Sequence, residues 1–144
     1  KDGAQVGAVG ADGRDAGQAL AVSYDASAIN DANSVLADRI VYFDFDSSKV
    51  SGDYVEQVKH HGRYLSANPA VTIRLEGHSD ERGTREYNIA LADRRAQAVK
   101  RLLRFQGATD AQVTIISYGE EKPATLGHDD AAWSMNRRAE LVYQ

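Results

Sequence analysis

Four short segments of this chain carry strand patterning, and stretches of helical periodicity or polar loop separate them. Ile40-Val41-Tyr42-Phe43-Asp44-Phe45 is rich in β-branched and aromatic residues, which favour a pleated backbone. Val71, Ile73 and Leu75 alternate with Thr72, Arg74 and Glu76, the mark of a half-buried strand. Gln112 to Tyr118 reads as a third strand, and Arg138 to Tyr143 alternates once more at the end of the chain. Between the first two strands, Ser51 offers a helix cap. Val55, Val58, Gly62 and Leu65 then recur at helical spacing until Asn68-Pro69 stops the run. Between the second and third, Thr84 caps a longer helix, with Glu86 in the first turn where the helix dipole favours an anion. Ile89, Ala92, Ala96, Val99 and Leu103 form its apolar stripe, Lys100, Arg101 and Arg104 lie near its C-terminal end, and Gly107 closes it. A short helical stretch around residues 130–134 precedes the last strand. One sheet covered on one face by helices is the economical packing of this order.

The 144 residues divide unevenly. Up to Asp38, two basic residues stand against six acidic ones; from Arg39 onward there are fifteen of each, so the formal net charge of −4 belongs to the first part. Residues 1–38 read as a flexible Gly/Ala-rich tether. Gly3, Gly7, Gly10, Gly13 and Gly17 are scattered among Ala, Asp and Gln, too little apolar surface to offset ordering entropy. Tyr24, Ile29, Val35 and Leu36 are its candidates for local docking. Residues 39–144 are the folded domain, long enough to bury a core.

Composition excludes several functions. The folded part has no net basic charge to attract nucleic acid. There is no cysteine, which removes disulfides, thiolate metal sites and a thiol nucleophile. No run approaches the ~20 apolar residues that span a bilayer. The chain starts at Lys1 without a charged-then-apolar leader, as expected of a processed or trimmed product. None of His60, His61, His78 and His128 has zinc-site spacing, so no metal is expected.

Two polar clusters fall where strands become loops: Asp44-Phe45-Asp46, and His78 through Thr84. Asn88, Leu91 and Arg95 occupy i, i+3 and i+7 of the longer helix and so share a face beside its apolar stripe. Should the Asp80 loop fold against that face, a carboxylate and a guanidinium would meet across a shallow pocket. Such a pair suits a zwitterionic ligand: Asp accepts from an ammonium and Arg forks onto a carboxylate. The alternative is that Asp80 and Arg95 simply bridge each other. An enzymatic reading is the weakest. Asp44-Phe45-Asp46-Ser47-Ser48 has the Asp-x-Asp spacing of magnesium-dependent haloacid-dehalogenase-type phosphatases. However, Ser48 replaces their usual Thr or Val, and Asp129-Asp130 follows Gly127-His128 instead of an apolar strand.

The run from Gly77 to Leu91 (Gly-His-Ser-Asp-Glu-Arg-Gly-Thr-Arg-Glu-Tyr-Asn-Ile-Ala-Leu), followed by Arg94-Arg95-Ala96, resembles the signature of OmpA-like C-terminal domains. Asp80-Glu81-Arg82-Gly83 and Glu86-Tyr87-Asn88 are more narrowly similar to the peptidoglycan-associated lipoproteins of that family. So are Val41 to Asp46, Ser117 to Pro123, and Asn136 to Tyr143. The resemblance covers nearly all of residues 39–144. It implies an α/β (α+β) two-layer sandwich with a mixed four-stranded sheet, helices on one face, in the order β-α-β-α-β-(short α)-β. It implies no enzyme activity and no cofactor. The implied function is non-covalent binding of peptidoglycan through the meso-diaminopimelate of its stem peptide. Asp80 and Arg95 match the family's paired charges. Asn88 and Leu91 match pocket-lining positions, Phe43, Asp44, Phe45 and Asp46 form a contributing loop, and Arg138 matches an arginine that supports the site. The resemblance further implies docking to TolB in the Tol-Pal system of envelope integrity and division. A scaffold mainly docking TolB is the alternative function. The implied location is the periplasmic face of the outer membrane, through an N-terminal lipid anchor that this chain, lacking cysteine, does not contain.

Overall fold

The computed structural model of the protein describes residues 22–144. Strands β1 (Ile40–Tyr42), β2 (Ile73–His78), β3 (Val113–Gly119) and β4 (Arg138–Tyr143) form one sheet. Helices α1 (Gly52–Ala67), α2 (Arg85–Phe105) and α3 (Asp130–Asn136) lie between them in sequence. The sheet order is β1-β4-β2-β3. β2 and β3 are parallel, with Ile73 opposite Val113, and α2 makes the crossover between them. β4 runs antiparallel to both its neighbours, placing Tyr42 opposite Arg138 and Leu75 opposite Leu141. The sheet is therefore mixed, and the last strand in sequence is inserted between the first two.

Strand alternation decides which side chains face the helices. Val41, Ile73, Leu75, Val113, Ala139 and Leu141 pack with Val58 and Leu65 of α1 and with Ala96, Val99 and Leu103 of α2. α2 lies directly on β2: a Cβ at Gly77 would stand 1.9 Å from the Ala92 carbonyl oxygen. Only a glycine permits that approach, and it fixes the distance between the end of β2 and the first half of α2. The Thr84 hydroxyl accepts from the Tyr87 amide at 3.1 Å, as its capping role requires.

Two boundaries differ from the sequence reading. β1 stops at Tyr42 instead of running to Phe45. Its one partner, β4, begins at Arg138; a last bond runs from the Phe43 amide to the Arg137 carbonyl at 2.9 Å. The chain then turns through Asp46, whose φ of 54° is left-handed. The tether assignment falls partly on residues 1–21, outside the described residues. Within residues 22–38, two single-turn 3-10 helices, Ala26–Asn30 and Val35–Ala37, pack on the domain. Leu36 and Ala28 are buried with Tyr64, against Tyr24, Ile29, Val35 and Tyr143. The Arg39 guanidinium donates to the carbonyls of Ile29 (2.7 Å) and Leu36 (2.9 Å), and the Tyr64 hydroxyl donates to Ala26 (2.8 Å). The packed body thus begins before Arg39. The docking residues expected of this stretch do dock, and backbone hydrogen bonds supply what its few apolar side chains do not.

Candidate functional site

The loops after β1 and β2 converge on the first turns of α2. Between them lies a cavity of about 220 Å³, walled by Phe45 and Asp46 from one loop, Asp80, Arg82 and Gly83 from the other, and Tyr87, Asn88 and Leu91 from the helix. Five residues singled out in the sequence thus line one concavity: Phe45, Asp46, Asp80, Asn88 and Leu91. Gly83 has a left-handed φ of 100°, a conformation glycine adopts without strain, and it closes the turn that leads from Asp80 and Arg82 into α2.

Asp80 is 5% exposed. Its Oδ1 accepts from the Arg82 amide (2.9 Å) and Nε (3.3 Å), and its Oδ2 accepts from Arg82 Nη2 (2.9 Å). Arg137 Nη1 stands 3.6 Å from Oδ2. Burial pushes the carboxyl pKa up, but the Arg82 hydrogen bonds and the charges of Arg82 and Arg137 outweigh it and leave the group below the ordinary carboxylate value. Asp80 is therefore a carboxylate at neutral pH, despite its burial.

Arg95 lies behind the cavity wall. It is 0% exposed, with Nε donating to the Ser47 carbonyl (2.8 Å), Nη1 to His78 (2.9 Å) and Nη2 to Asp44 (3.2 Å). The Phe43 ring packs on its guanidinium, 5.3 Å from the centroid. Burial lowers its pKa to about 10, partly opposed by the Asp80 charge, so it stays protonated at neutral pH. A simple Asp80–Arg95 bridge is not what forms; Asp80 pairs with Arg82 instead. The direct fork of Arg95 onto a ligand is also not presented, because the side chain is fully buried on three carbonyls, two in the loop after β1 and one at the end of β2. Phe43 and Asp44, expected to contribute to the site, do not line the cavity; they contact Arg95, Phe43 through its ring and Asp44 through its carbonyl. Arg138 stands apart from the cavity. On the sheet face away from α1 and α2, it donates to Glu140 Oε2 (2.5 Å) and to the carbonyls of Asn136 (3.3 Å) and Lys122 (3.0 Å). It braces the loop between β3 and α3.

Several residues of the site escaped the sequence reading. Arg82 is sandwiched between the rings of Phe45 (3.9 Å) and Trp133 (4.1 Å). Glu81 accepts from the Trp133 indole (2.9 Å) and pairs with His128 (2.6 Å). Tyr87 donates to Asp46 across the mouth. Asn88 donates to Glu120 (2.8 Å), and Arg137 donates to the Phe43 carbonyl (2.8 Å). The one available signal was Arg82 two residues after Asp80, the spacing at which an Asp side chain accepts from the backbone amide of a turn, as it does here at 2.9 Å.

The acidic residues of the phosphatase reading do not assemble. Asp129 caps α3 by accepting from the Ala132 amide (2.9 Å), and among the described residues no three His, Cys, Asp or Glu side chains form a metal-holding group. Among the same residues, no helix is long and apolar enough to cross a membrane.

Comparison with known proteins identifies the family. Residues 42–137 match the OmpA family. The chain is 55% identical over 103 residues to the peptidoglycan-associated lipoprotein of Pasteurella multocida, covering 72% of this chain and 69% of that protein. It is 54% identical over 103 residues to that of Haemophilus influenzae, covering 72% and 67%. The crystal structure of the peptidoglycan-associated lipoprotein from Burkholderia pseudomallei superposes with a TM-score of 0.79 at 52% identity, over 81% of this chain and 98% of that one. These relatives are lipoproteins by name. With its mixed sheet, its helices on one face and its loop-and-helix cavity, this chain belongs to the OmpA family and, within it, to the peptidoglycan-associated lipoproteins.

Proposed function

We propose that the domain binds peptidoglycan non-covalently through the meso-diaminopimelate of the stem peptide, and so links the outer membrane to the cell wall. The observation that carries this reading is a buried, ionised Asp80 at the wall of a cavity rimmed by Phe45, Tyr87 and Arg82. The distal end of meso-diaminopimelate is an ammonium beside a carboxylate. Asp80 accepts from the ammonium, and Leu91 and Phe45 cover the aliphatic stem. Each charge-assisted bond contributes roughly 1.5–3 kcal/mol when partly desolvated. Arg95 sets the wall: it holds the carbonyls of Asp44, Ser47 and His78 in place and supplies a fixed positive field behind Asp80.

The relatives' name, peptidoglycan-associated lipoprotein, supports peptidoglycan as the ligand. In the full-length protein, a lipid anchor upstream of this chain holds the domain at the periplasmic face of the outer membrane. Anchor and wall contact together give avidity from a modest single site. In the Tol-Pal system, TolB docks on the rim of the same cavity, where Phe45 and Tyr87 are exposed. TolB and wall therefore compete.

Co-sedimentation with purified sacculi tests the reading. The wild-type domain is expected in the pellet, free muropeptide or TolB is expected to release it, and Asp80→Asn is expected to stay in the supernatant. An Asp80→Asn protein that sediments like wild type contradicts it.

A further inference from the structure

Three arginines surround the Asp80 carboxylate, and one of them reaches the cavity. Arg95 is fully buried on three carbonyls. Arg137 is committed to the Phe43 carbonyl and is not among the residues lining the cavity. Arg82 lines it, and its side chain is 32% exposed. Its guanidinium turns the Nε/Nη2 edge onto Asp80, while the rings of Phe45 and Trp133 cover both faces at 3.9 and 4.1 Å. The Nη1 side of the guanidinium makes no hydrogen bond among the described residues. A planar cation locked by two stacked rings and a carboxylate fork keeps its remaining N–H groups in fixed directions. Trp133 is in turn held by its indole bond to Glu81 at 2.9 Å, so the orientation of Arg82 is set from three chain segments.

We propose that Arg82 is the specificity-determining residue that reads the ligand's carboxylate. The inference rests on the wall-binding reading above and deepens it. Asp80 and Arg82 form a ready-made ion pair at the cavity wall. An amino-acid end group, with ammonium and carboxylate on one carbon, seats along that pair: the ammonium on Asp80 Oδ2, the carboxylate on the open Nη1/Nη2 edge. A lysine side chain offers the ammonium alone and leaves that edge unused. Discrimination between diaminopimelate-type and lysine-type stem peptides thus resides in Arg82, with Phe45 and Trp133 as positioning residues that hold its plane.

The test is calorimetric titration of wild type, Arg82→Gln, Arg82→Lys and Trp133→Leu. Three muropeptides are used: one with meso-diaminopimelate, one with that residue's side-chain carboxylate amidated, and one with lysine. Wild type is expected to prefer the first by at least about tenfold. Arg82→Gln is expected to weaken binding of the first about tenfold or more while leaving the lysine form unchanged or stronger, so that the preference collapses. Arg82→Lys, lacking the planar fork, and Trp133→Leu, lacking one stacked face, are expected to fall between. Unfolding midpoints near wild type show that the variants fold. Should Arg82→Gln keep the wild-type preference, or weaken all three ligands equally, Arg82 does not read the carboxylate, and the wall-binding reading survives. Should wild type bind none of the three, that reading fails and this inference with it.

Discussion

The guanidinium of Arg95 donates at 2.9 Å to the carbonyl of His78, two residues before Asp80. The end of β2 is thereby tied to the middle of α2, and the same side chain also reaches Asp44 and Ser47 in the loop after β1. One buried cation therefore sets the distance between the two loops whose side chains wall the cavity. Under the proposed function it acts on ligand binding through backbone positions.

Removing that cation has a stability cost as well as a binding cost. Arg95→Met fills similar volume but removes the donor to the buried His78 carbonyl and to the half-buried carbonyls of Ser47 and Asp44, the last of which keeps the Ser47 amide; a buried carbonyl left unsatisfied costs roughly 1–3 kcal/mol. The expected loss is about 1–3 kcal/mol in urea unfolding, with wall binding abolished. Arg95→Lys keeps the charge but cannot fork, and is expected to recover only part of both. An Arg95→Met protein as stable as wild type contradicts the clamp.

Gly77 is the second fixed point. A methyl group there meets the Ala92 carbonyl at 1.9 Å, backbone against backbone, so α2 must lift from β2. Gly77→Ala is expected to destabilise by about 1–3 kcal/mol or more, the range of overpacked cores, and to weaken muropeptide binding because Asn88 and Leu91 move with α2. Gly52→Ala is the matched control. Nothing lies within 4 Å of its added Cβ, and relief of backbone entropy is expected to leave stability equal or slightly raised. Equal unfolding midpoints for the two variants contradict the close approach.

The architecture was legible in the sequence because its periods are local. The stripe from Ile89 to Leu103 and the alternation of Val71, Ile73 and Leu75 report on burial at their own positions. The i, i+3, i+7 face of Asn88, Leu91 and Arg95 was also legible, and all three are buried. The depth of Arg95 was not legible, because three carbonyls from loops remote in sequence make its burial tolerable. The displacement of Arg138 follows from strand parity: Ala139 and Leu141 face the helices, so Arg138 points to the other side. Residues 22–38 were underestimated because docking there rests on hydrogen bonds to backbone from Arg39, Tyr64 and Asn68, which leave little apolar trace.

That docking gives a pH dependence. His61 is 0% exposed, with Nε2 on the Asp38 carbonyl (2.8 Å) and Nδ1 on the Tyr143 hydroxyl (2.7 Å). Burial lowers its pKa to about 4, against about 6.5 unfolded. Below pH ~6.5 the unfolded chain takes up a proton that the folded one refuses until pH ~4. Stability is therefore full above about 6.5, falls as pH drops to about 4, and levels off below that, with an upper limit on the order of 3 kcal/mol. His78, lowered chiefly by burial, adds in the same direction. Urea unfolding at pH about 7 and about 4 is expected to show this fall in wild type and a smaller one in His61→Gln; identical falls contradict it.

Leu36 tests the N-terminal docking directly. It is 0% exposed and packed with Ala28 and Tyr64. Leu36→Ala is expected to cost about 2–5 kcal/mol, the range for buried Leu→Ala. A change under about 0.5 kcal/mol, as at ordinary surface positions, contradicts docking of this segment.

The most direct measurement is the affinity of a meso-diaminopimelate muropeptide for the wild-type domain and for Asp80→Asn, an isosteric change that removes the charge and turns one acceptor oxygen into a donor. Loss of binding by two orders of magnitude or more (about 3 kcal/mol) in a variant that still unfolds cooperatively is the predicted result. Equal affinities for the two proteins would contradict a wall-binding site built on the Asp80 carboxylate.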